Sequence, residues 1–457
     1  MCKKCEKEIT SEYFPCDWGC HILLNPVPQD KSLEVFQRVV NFISTRGRIF
    51  VSRVGPRSWS SFKDNLESVR LPDIQLSAVI TPPVRVNVYA VSEVVKKSII
   101  LSGPRQVCKT TLSKQLVPSF VYLNYDSGAD RRMILDEEWP RDTPLVIFDE
   151  LHKLKKWKSK IKGIYDTDGI PPSLLVTGSA RLETARKAGD SLAGRFFAYR
   201  LHPLTVREIA HGLKEPSATA LEKMLRLGGF PEPYLLNDET HAKRWRRTHL
   251  DTIIRSDLLD LERVRDLKSI EILIDLLRSR VGSPTSYSSL ALDLQVSVHT
   301  VKHWLQILEN LCVIFGVRPY HRNVARSLLK EPKYYFYDIG AVEGDIGARL
   351  ENTVALALLR EMHLLEDTTG SRTALHYLRD RDGHEVDFLV LVDRNPKLLA
   401  EVKAGDQTFA KALWHFGRYF QNAPPKVQIV LDLKRPREKD SVSMVPAHEF
   451  LANLTLT

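Results

Sequence analysis

One stretch constrains this chain more than any other. Ser98–Leu101 (SIIL) is a short apolar run that leads into Gly103-Pro104-Arg105-Gln106-Val107-Cys108-Lys109-Thr110-Thr111, and "LSKQL" then reads as a helix. A buried strand, a glycine-opened loop, Lys-Thr and a helix start form the context of a phosphate-binding loop. In such a loop successive main-chain N–H groups and the helix N-terminus surround phosphate oxygens. Lys109 is expected to reach the β- and γ-phosphates, and the Thr110 hydroxyl to ligate Mg²⁺. The pattern calls for glycine at position 108, where this chain has Cys108. A Cβ and a sulfur at that point crowd a backbone that must approach its ligand closely.

Two more strand ends carry polar groups. Pro144-Leu-Val-Ile-Phe-Asp149-Glu150 is an apolar run ending in two carboxylates. Asp149 is expected to hold Mg²⁺ through water, and Glu150 to polarise the attacking water. Leu174-Leu-Val-Thr177-Gly178-Ser179 ends in hydroxyls, of which Ser179 is the candidate γ-phosphate sensor. Continuous apolar runs separated by helical patterns read as buried parallel strands. The expected class is α/β, built on a P-loop NTPase sheet.

Composition narrows the alternatives. The 457 residues are 43% hydrophobic and 27% charged, which excludes a disordered, collagenous or purely coiled-coil chain. Lys plus Arg exceed Asp plus Glu by 66 to 56, a charge of +10 that suits a polyanionic partner. "VALALL" at Val354–Leu359 is typical of the longest apolar runs, well short of the about 18 residues that span a bilayer. No apolar segment follows the lysines of MCKKCEKEIT, so neither a membrane nor a secretory signal is expected, and the default compartment is the cytoplasm.

Tyr287-Ser-Ser-Leu290-Ala291, then Val296-Ser297-Val298-His299-Thr300-Val301-Lys302-His303-Trp304-Leu305, read as two helices joined by a turn. Ser297 is a suitable N-cap for the second. Val301, Leu305 and Leu308 recur on one face, leaving His299, Thr300, Lys302 and His303 near the exposed start. Duplex DNA in a major groove and a protein-docking surface are both open readings of that face.

Further on, Glu385-Val-Asp387-Phe-Leu-Val-Leu is a strand, Asp393-Arg-Asn-Pro-Lys a turn, and Leu398-Leu-Ala-Glu401-Val402-Lys403 the returning strand. Glu401 and Lys403 share a face because strand side chains alternate. Asp387 can meet them across the hairpin, with Glu351 as a fourth group. Two carboxylates and a lysine are the D…E-x-K set of restriction-type nucleases, in which carboxylates bind Mg²⁺ and lysine steadies the attacking water. His384 reads as an edge residue, and Cys312 as an apolar filler. At the other end Cys2, Cys5, Cys16 and Cys20 have knuckle-like spacing, which suits tetrahedral Zn²⁺.

"GPRQVCKTTL", "FDELHK", "VTGSARLE", "LAGRFFAYRLHPLTVREI", "GGFPEPYL" and "RSDLLDL" together resemble the predicted prokaryotic ATPases of the AAA+ superfamily. "SVHTVKHWLQILENLCVIFGVRPY", "KYYFYDIGAV", "EVDFLV" and "EVKAG" resemble their C-terminal half, a separate domain of unknown function. The resemblance runs from about Val94 to Asn422. It implies an ATP-binding AAA+-like core, a winged helix and a restriction-endonuclease-like C-terminal domain. It also implies an arginine supplied by a neighbouring subunit of a homo-oligomer, with Arg195 and Arg255 as candidates. The corresponding divisions are 1–85 (Cys-containing extension), 86–215 (ATPase core), 216–265 (helical lid-like segment), 266–330 (winged helix-turn-helix) and 331–457 (nuclease-like domain). Three functions compete: an AAA+-like ATPase associated with DNA, an ATP-gated Mg²⁺-dependent nuclease, and a non-hydrolysing nucleotide-sensing scaffold for a protein partner.

Overall fold

The computed structural model describes residues 98–169, 172–178, 192, 194–258, 266–321, 331–405 and 408–456, and the backbone of two short paired strands, β1 (Val79–Thr81) and β2 (Val84–Val86). The Cys2, Cys5, Cys16, Cys20 set and Ser179 lie outside the described residues.

Five strands build the first sheet: β3 (Ser98–Ser102), β4 (Val121–Asn124), β5 (Leu145–Asp149), β6 (Ser173–Thr177) and β7 (Phe196–Arg200). All are parallel, in the order β4-β5-β6-β3-β7. β3, β5 and β6 are buried along their whole length, as their unbroken apolar runs require. Each strand feeds both faces. Ile99, Leu101, Leu145, Ile147 and Leu175 pack with Leu112 and Leu116 on one side. Ile100, Val146, Phe148 and Val176 pack on the other against α2 (Gly128–Asp136) and α3 (Trp157–Asp168) through Ile134, Trp157 and Ile161. The loop after β3 opens into α1 (Lys109–Ser113). Because every strand runs the same way, the loops after β3, β5 and β6 gather at one end of the sheet, where α/β proteins take their ligands. This is a P-loop NTPase core.

A helical segment follows: α4 (Ser217–Leu227), α5 (Pro231–Leu236), α6 (Glu239–Thr252) and α7 (Leu267–Arg278). Then come α8 (Tyr287–Asp293) and α9 (Val298–Asn310). Ser297 caps α9, accepting the Thr300 N–H at 3.0 Å. Val301, Leu305 and Leu308 are buried as their spacing predicts, and Trp304 and Ile307 join them. His299, Lys302 and His303 are exposed.

The second sheet has eight strands of mixed direction, from β8 (Ile314–Pro319) and β9 (Lys333–Phe336) through β10 (Thr373–Arg379), β11 (Glu385–Val392), β12 (Asn395–Lys403) and β13 (Lys426–Val430) to β14 (Arg437–Lys439) and β15 (Val442–Pro446). Helix α10 (Ile346–Thr369) packs against it, and α11 (Lys411–Gly417) covers the β11–β12 region. The class as a whole is α/β.

Two details differ from the sequence expectation. The β11–β12 turn is shorter than Asp393–Lys397, since only Asp393 and Arg394 leave the strands. Both are left-handed (φ 49° and 67°), the pairing that a tight hairpin needs to match strand twist. Strand pairing also crosses the expected boundary between 330 and 331. β8 and β9 pair antiparallel across that point, β8 pairs with β10, and one apolar core runs from Leu204 to Leu454. Strand pairing and shared burial join the two sides of that point. No helix among the described residues is long and apolar enough to cross a membrane.

Candidate functional site

The phosphate loop turns on three left-handed or extended residues. Gly103 has φ 145°, and a Cβ there would lie 2.1 Å from the Leu201 carbonyl oxygen, so only glycine fits. Gln106 (φ 59°) and Cys108 (φ 68°) are left-handed with Val107 between them. That alternation turns successive main-chain N–H groups toward one point, as an anion nest requires. Cys108 is the N-cap of α1, so the substitution for glycine puts a Cβ into a conformation costing a side-chain residue about 1–2 kcal/mol.

Lys109 folds back over its own loop. Its Nζ donates to the carbonyl oxygens of Gly103 (3.0 Å) and Pro104 (2.5 Å). Burial pushes this ammonium down to about 8, with Glu150 and Asp149 acting in the opposite direction from further away. No carboxylate among the described residues lies within ion-pair distance of it.

The three strand ends converge beside it. Asp149 Oδ2 accepts from the Thr110 hydroxyl (2.8 Å) and the Tyr122 hydroxyl (2.8 Å), while Oδ1 accepts from the Thr177 hydroxyl. Glu150 sits one residue past β5 with φ 56°. Burial raises its carboxyl above the usual range, partly opposed by Lys153. Its Oε2 is buried, 3.4 Å from Lys153 Nζ, and accepts no hydrogen bond. Sequence reasoning missed Tyr122 and assigned Thr177 no partner. Tyr122 stands in an ordinary strand pattern, and only the β4–β5 pairing brings its ring beside Asp149.

The two candidate arginines differ in setting. Arg195 precedes β7, at the sheet end opposite the loop, and makes a two-pronged pair with Asp166 (2.6 and 3.1 Å). Arg255 is exposed beyond α6. Cys312 is half-buried rather than core: it follows α9 with φ 53° and lines a cavity of about 130 Å³ beside Gly103 and Pro104. The far wall of that cavity holds His202 and His363, whose rings meet at 2.9 Å. Below them, Arg200 of β7 binds Asp367 (2.7 Å) and Glu366 (2.6 Å) of α10. The loop therefore abuts the second sheet's long helix.

The second charged cluster is at the β11–β12 hairpin. Asp387, Glu401, Lys403 and Glu351 do come together. The Asp387 N–H donates to Glu401 Oε2 (3.3 Å), the Val402 N–H to Asp387 Oδ2 (2.9 Å), and Lys403 pairs with Glu401 Oε1 at 2.6 Å. The residue that sequence reasoning missed is Lys333, which is 1% exposed. Its Nζ contacts Glu385 (2.7 Å), Glu351 (3.4 Å) and Asp387 (3.4 Å), and Tyr335 donates to Glu351 at 2.7 Å. Desolvation and the neighbouring Asp387 push Glu351 and Glu401 up to about 7. The three carboxylates hold Lys333 above the ordinary lysine range against the opposing cost of burial. A divalent ion does not fit here: the ammonium of Lys333 already stands among Glu351, Glu385 and Asp387, and both Glu401 oxygens face N–H donors.

Residues 95–210 match the model of an AAA domain. Residues 218–344 and 346–450 match two further models, each described as a domain of unknown function. An uncharacterized protein of Mycobacterium tuberculosis is 25% identical over 308 residues, covering 65% of this chain and 68% of that protein. An uncharacterized protein of Haemophilus influenzae is 23% identical over 330 residues, covering 64% of this chain and 78% of that protein. Among solved structures, the RuvB Holliday junction branch migration motor of Thermotoga maritima aligns with 53% of this chain and 93% of its own, at 18% identity and a TM-score of 0.28.

Proposed function

We propose that the AAA-type core binds Mg²⁺-ATP on Gly103–Thr111 and hydrolyses it to ADP and phosphate. One observation carries this reading. Lys109 is a buried ammonium that donates to two carbonyl oxygens, and Glu150 and Asp149, neither within ion-pair distance, only partly offset the burial that lowers its pKa. A triphosphate supplies the remaining counter-charge. Pro104, Arg105, Gln106, Val107 and Cys108 line the loop around it, with Thr111 on the first turn of α1.

Thr110 and Asp149, already joined at 2.8 Å, are the pair that would hold Mg²⁺, which when bound neutralises charge on the phosphate oxygens. Thr177 and Tyr122 keep Asp149 oriented. Glu150 orients the attacking water and accepts its proton; its raised pKa makes it a stronger base than an exposed carboxylate. Exposed Arg255, presented to a neighbouring copy, is better placed for a role in trans than Arg195, which Asp166 holds.

ATP binding and turnover test this reading. Lys109→Ala should lose binding, and Glu150→Gln should bind but not turn over. Equal binding by wild type and Lys109→Ala would refute it. Tight binding with no turnover in the wild type would leave the nucleotide-sensing scaffold.

A second reading rests on the exposed start of α9. His299, Lys302 and His303 present donors there, and the chain carries a net charge of +10. We infer contact with duplex DNA, mainly through phosphates. Affinity should fall as salt rises, and Lys302→Ala should shallow the salt slope by about one unit. No binding at low salt would favour a protein partner on this face. The nuclease alternative is the weakest of the three, because Lys333 already compensates the carboxylates that Mg²⁺ would need.

A further inference from the structure

The turn between β10 and β11 and the helix α11 bring together Asp380, His384 and His415, and we propose that they form a site for a borderline divalent transition ion such as Zn²⁺. None of the three belongs to the phosphate site or to the Lys333 cluster, so the inference stands apart from the ATPase reading.

The geometry centres on one atom. His384 Nδ1 and His415 Nε2 each lie 2.9 Å from Asp380 Oδ2, and all three ligand atoms lie within 4.8 Å of one another. Tetrahedral Zn²⁺ with bonds of about 2.0–2.2 Å places neighbouring ligand atoms about 3.4 Å apart. The two 2.9 Å edges are of hydrogen-bond length, and opening each by about 0.5 Å would seat an ion against all three atoms. Imidazole with carboxylate is the donor set of Zn²⁺ and its first-row neighbours, and it disfavours Mg²⁺.

The carboxylate is also aimed. Asp380 Oδ1 is occupied by the N–H groups of Asp382 (3.0 Å) and His384 (2.9 Å), which leaves Oδ2 for the histidines. Such second-layer bonds fix a metal ligand's orientation. The turn is closed by Asp380 N–H to the His384 carbonyl (3.1 Å) and by Gly383 at φ 85°. Helix α11 is anchored by buried Leu413 and Phe416, so His415 is held at a fixed height over the turn, its ring 4.5 Å from that of His384. The three side chains are partly exposed, which leaves room for water or a further ligand. An ion here would clamp α11 to the β10–β11 turn, one residue from Glu385 of the Lys333 cluster.

The competing description is a hydrogen-bonded trio of two histidines on one carboxylate. Titration of metal-free, full-length protein with Co²⁺, followed by Zn²⁺ competition, separates the two. One equivalent of Co²⁺ should give visible d–d absorption without a thiolate charge-transfer band, and Zn²⁺ should abolish it. His415→Gln, and separately Asp380→Asn, should weaken Co²⁺ binding at least tenfold with unchanged far-ultraviolet circular dichroism. Binding unchanged in both variants, no d–d band, or a spectrum dominated by thiolate charge transfer would overturn the proposal. The last result would assign the metal to cysteines instead.

Discussion

Two lysines stand at the centres of the two charged clusters, and they are in opposite electrostatic states. Lys109 is buried against carbonyl oxygens, and its pKa falls to about 8. Lys333 is buried against three carboxylates, and its pKa rises. Burial costs both, but only for Lys333 do the protein's own charges more than offset that cost. A lysine left short of counter-charge marks a place for an anionic ligand. One surrounded by carboxylates marks a structural ion cluster, even where the same carboxylates spell a metal-site pattern in sequence.

The sharpest way to break this contrast is to remove Lys333. Lys333→Met should destabilise the fold by about 3–5 kcal/mol at pH 8, because Glu351, Glu385 and Asp387 lose their common partner. The loss should shrink toward pH 5, where the Glu351 carboxyl, raised to about 7, is protonated. Denaturant unfolding at both pH values reads it; a pH-independent loss would point to packing instead. Lys109→Ala should leave stability nearly unchanged yet weaken ATP binding on the order of 100-fold, about 2.7 kcal/mol.

The depressed Lys109 adds a signed pH effect. Bound phosphates restore its charge, so binding should take up a proton once the pH exceeds about 8. ATP affinity should then fall by up to about tenfold per pH unit, and calorimetry in buffers of different ionisation enthalpy should show the uptake. Flat affinity from pH 7 to 9.5 would remove Lys109 from the phosphate site.

Smaller effects refine the picture. Cys108→Gly relieves a left-handed Cβ and clears sulfur from the loop, so ATP affinity or turnover should rise by up to about tenfold, with stability within about 1 kcal/mol of wild type. Glu351→Gln should stabilise on the order of 1 kcal/mol above pH 7 and not at all below pH 4.5. The sign follows from its raised pKa: the folded state holds a proton that the unfolded state releases between those limits, so wild-type stability falls as pH climbs through that window.

Much of this was legible in the chain. The unbroken apolar runs of β3, β5 and β6, the loop Gly103–Thr111, Asp149 and Glu150 at a strand end, and Ser297 before α9 are all local patterns, carried by residues close together in sequence. Local pattern suffices because strand burial, helix capping and loop turning depend on neighbours along the backbone. Asp387, Glu401 and Lys403 were legible for the same reason, since a hairpin keeps them close.

What only the tertiary structure decided is which distant residues complete each cluster. Lys333 lies 54 positions before Asp387, and in sequence it is one lysine among many. His415 lies 31 positions after His384, on a different element, and neither carries a spacing that announces the other. Tyr122 reaches Asp149 only because β4 pairs with β5, and Arg200 meets Asp367 only because α10 docks beside β7. The sequence determined the chemistry available at each position. Long-range packing determined which charges are compensated, because the energy of a buried ion depends on the partners that folding brings within a few ångströms.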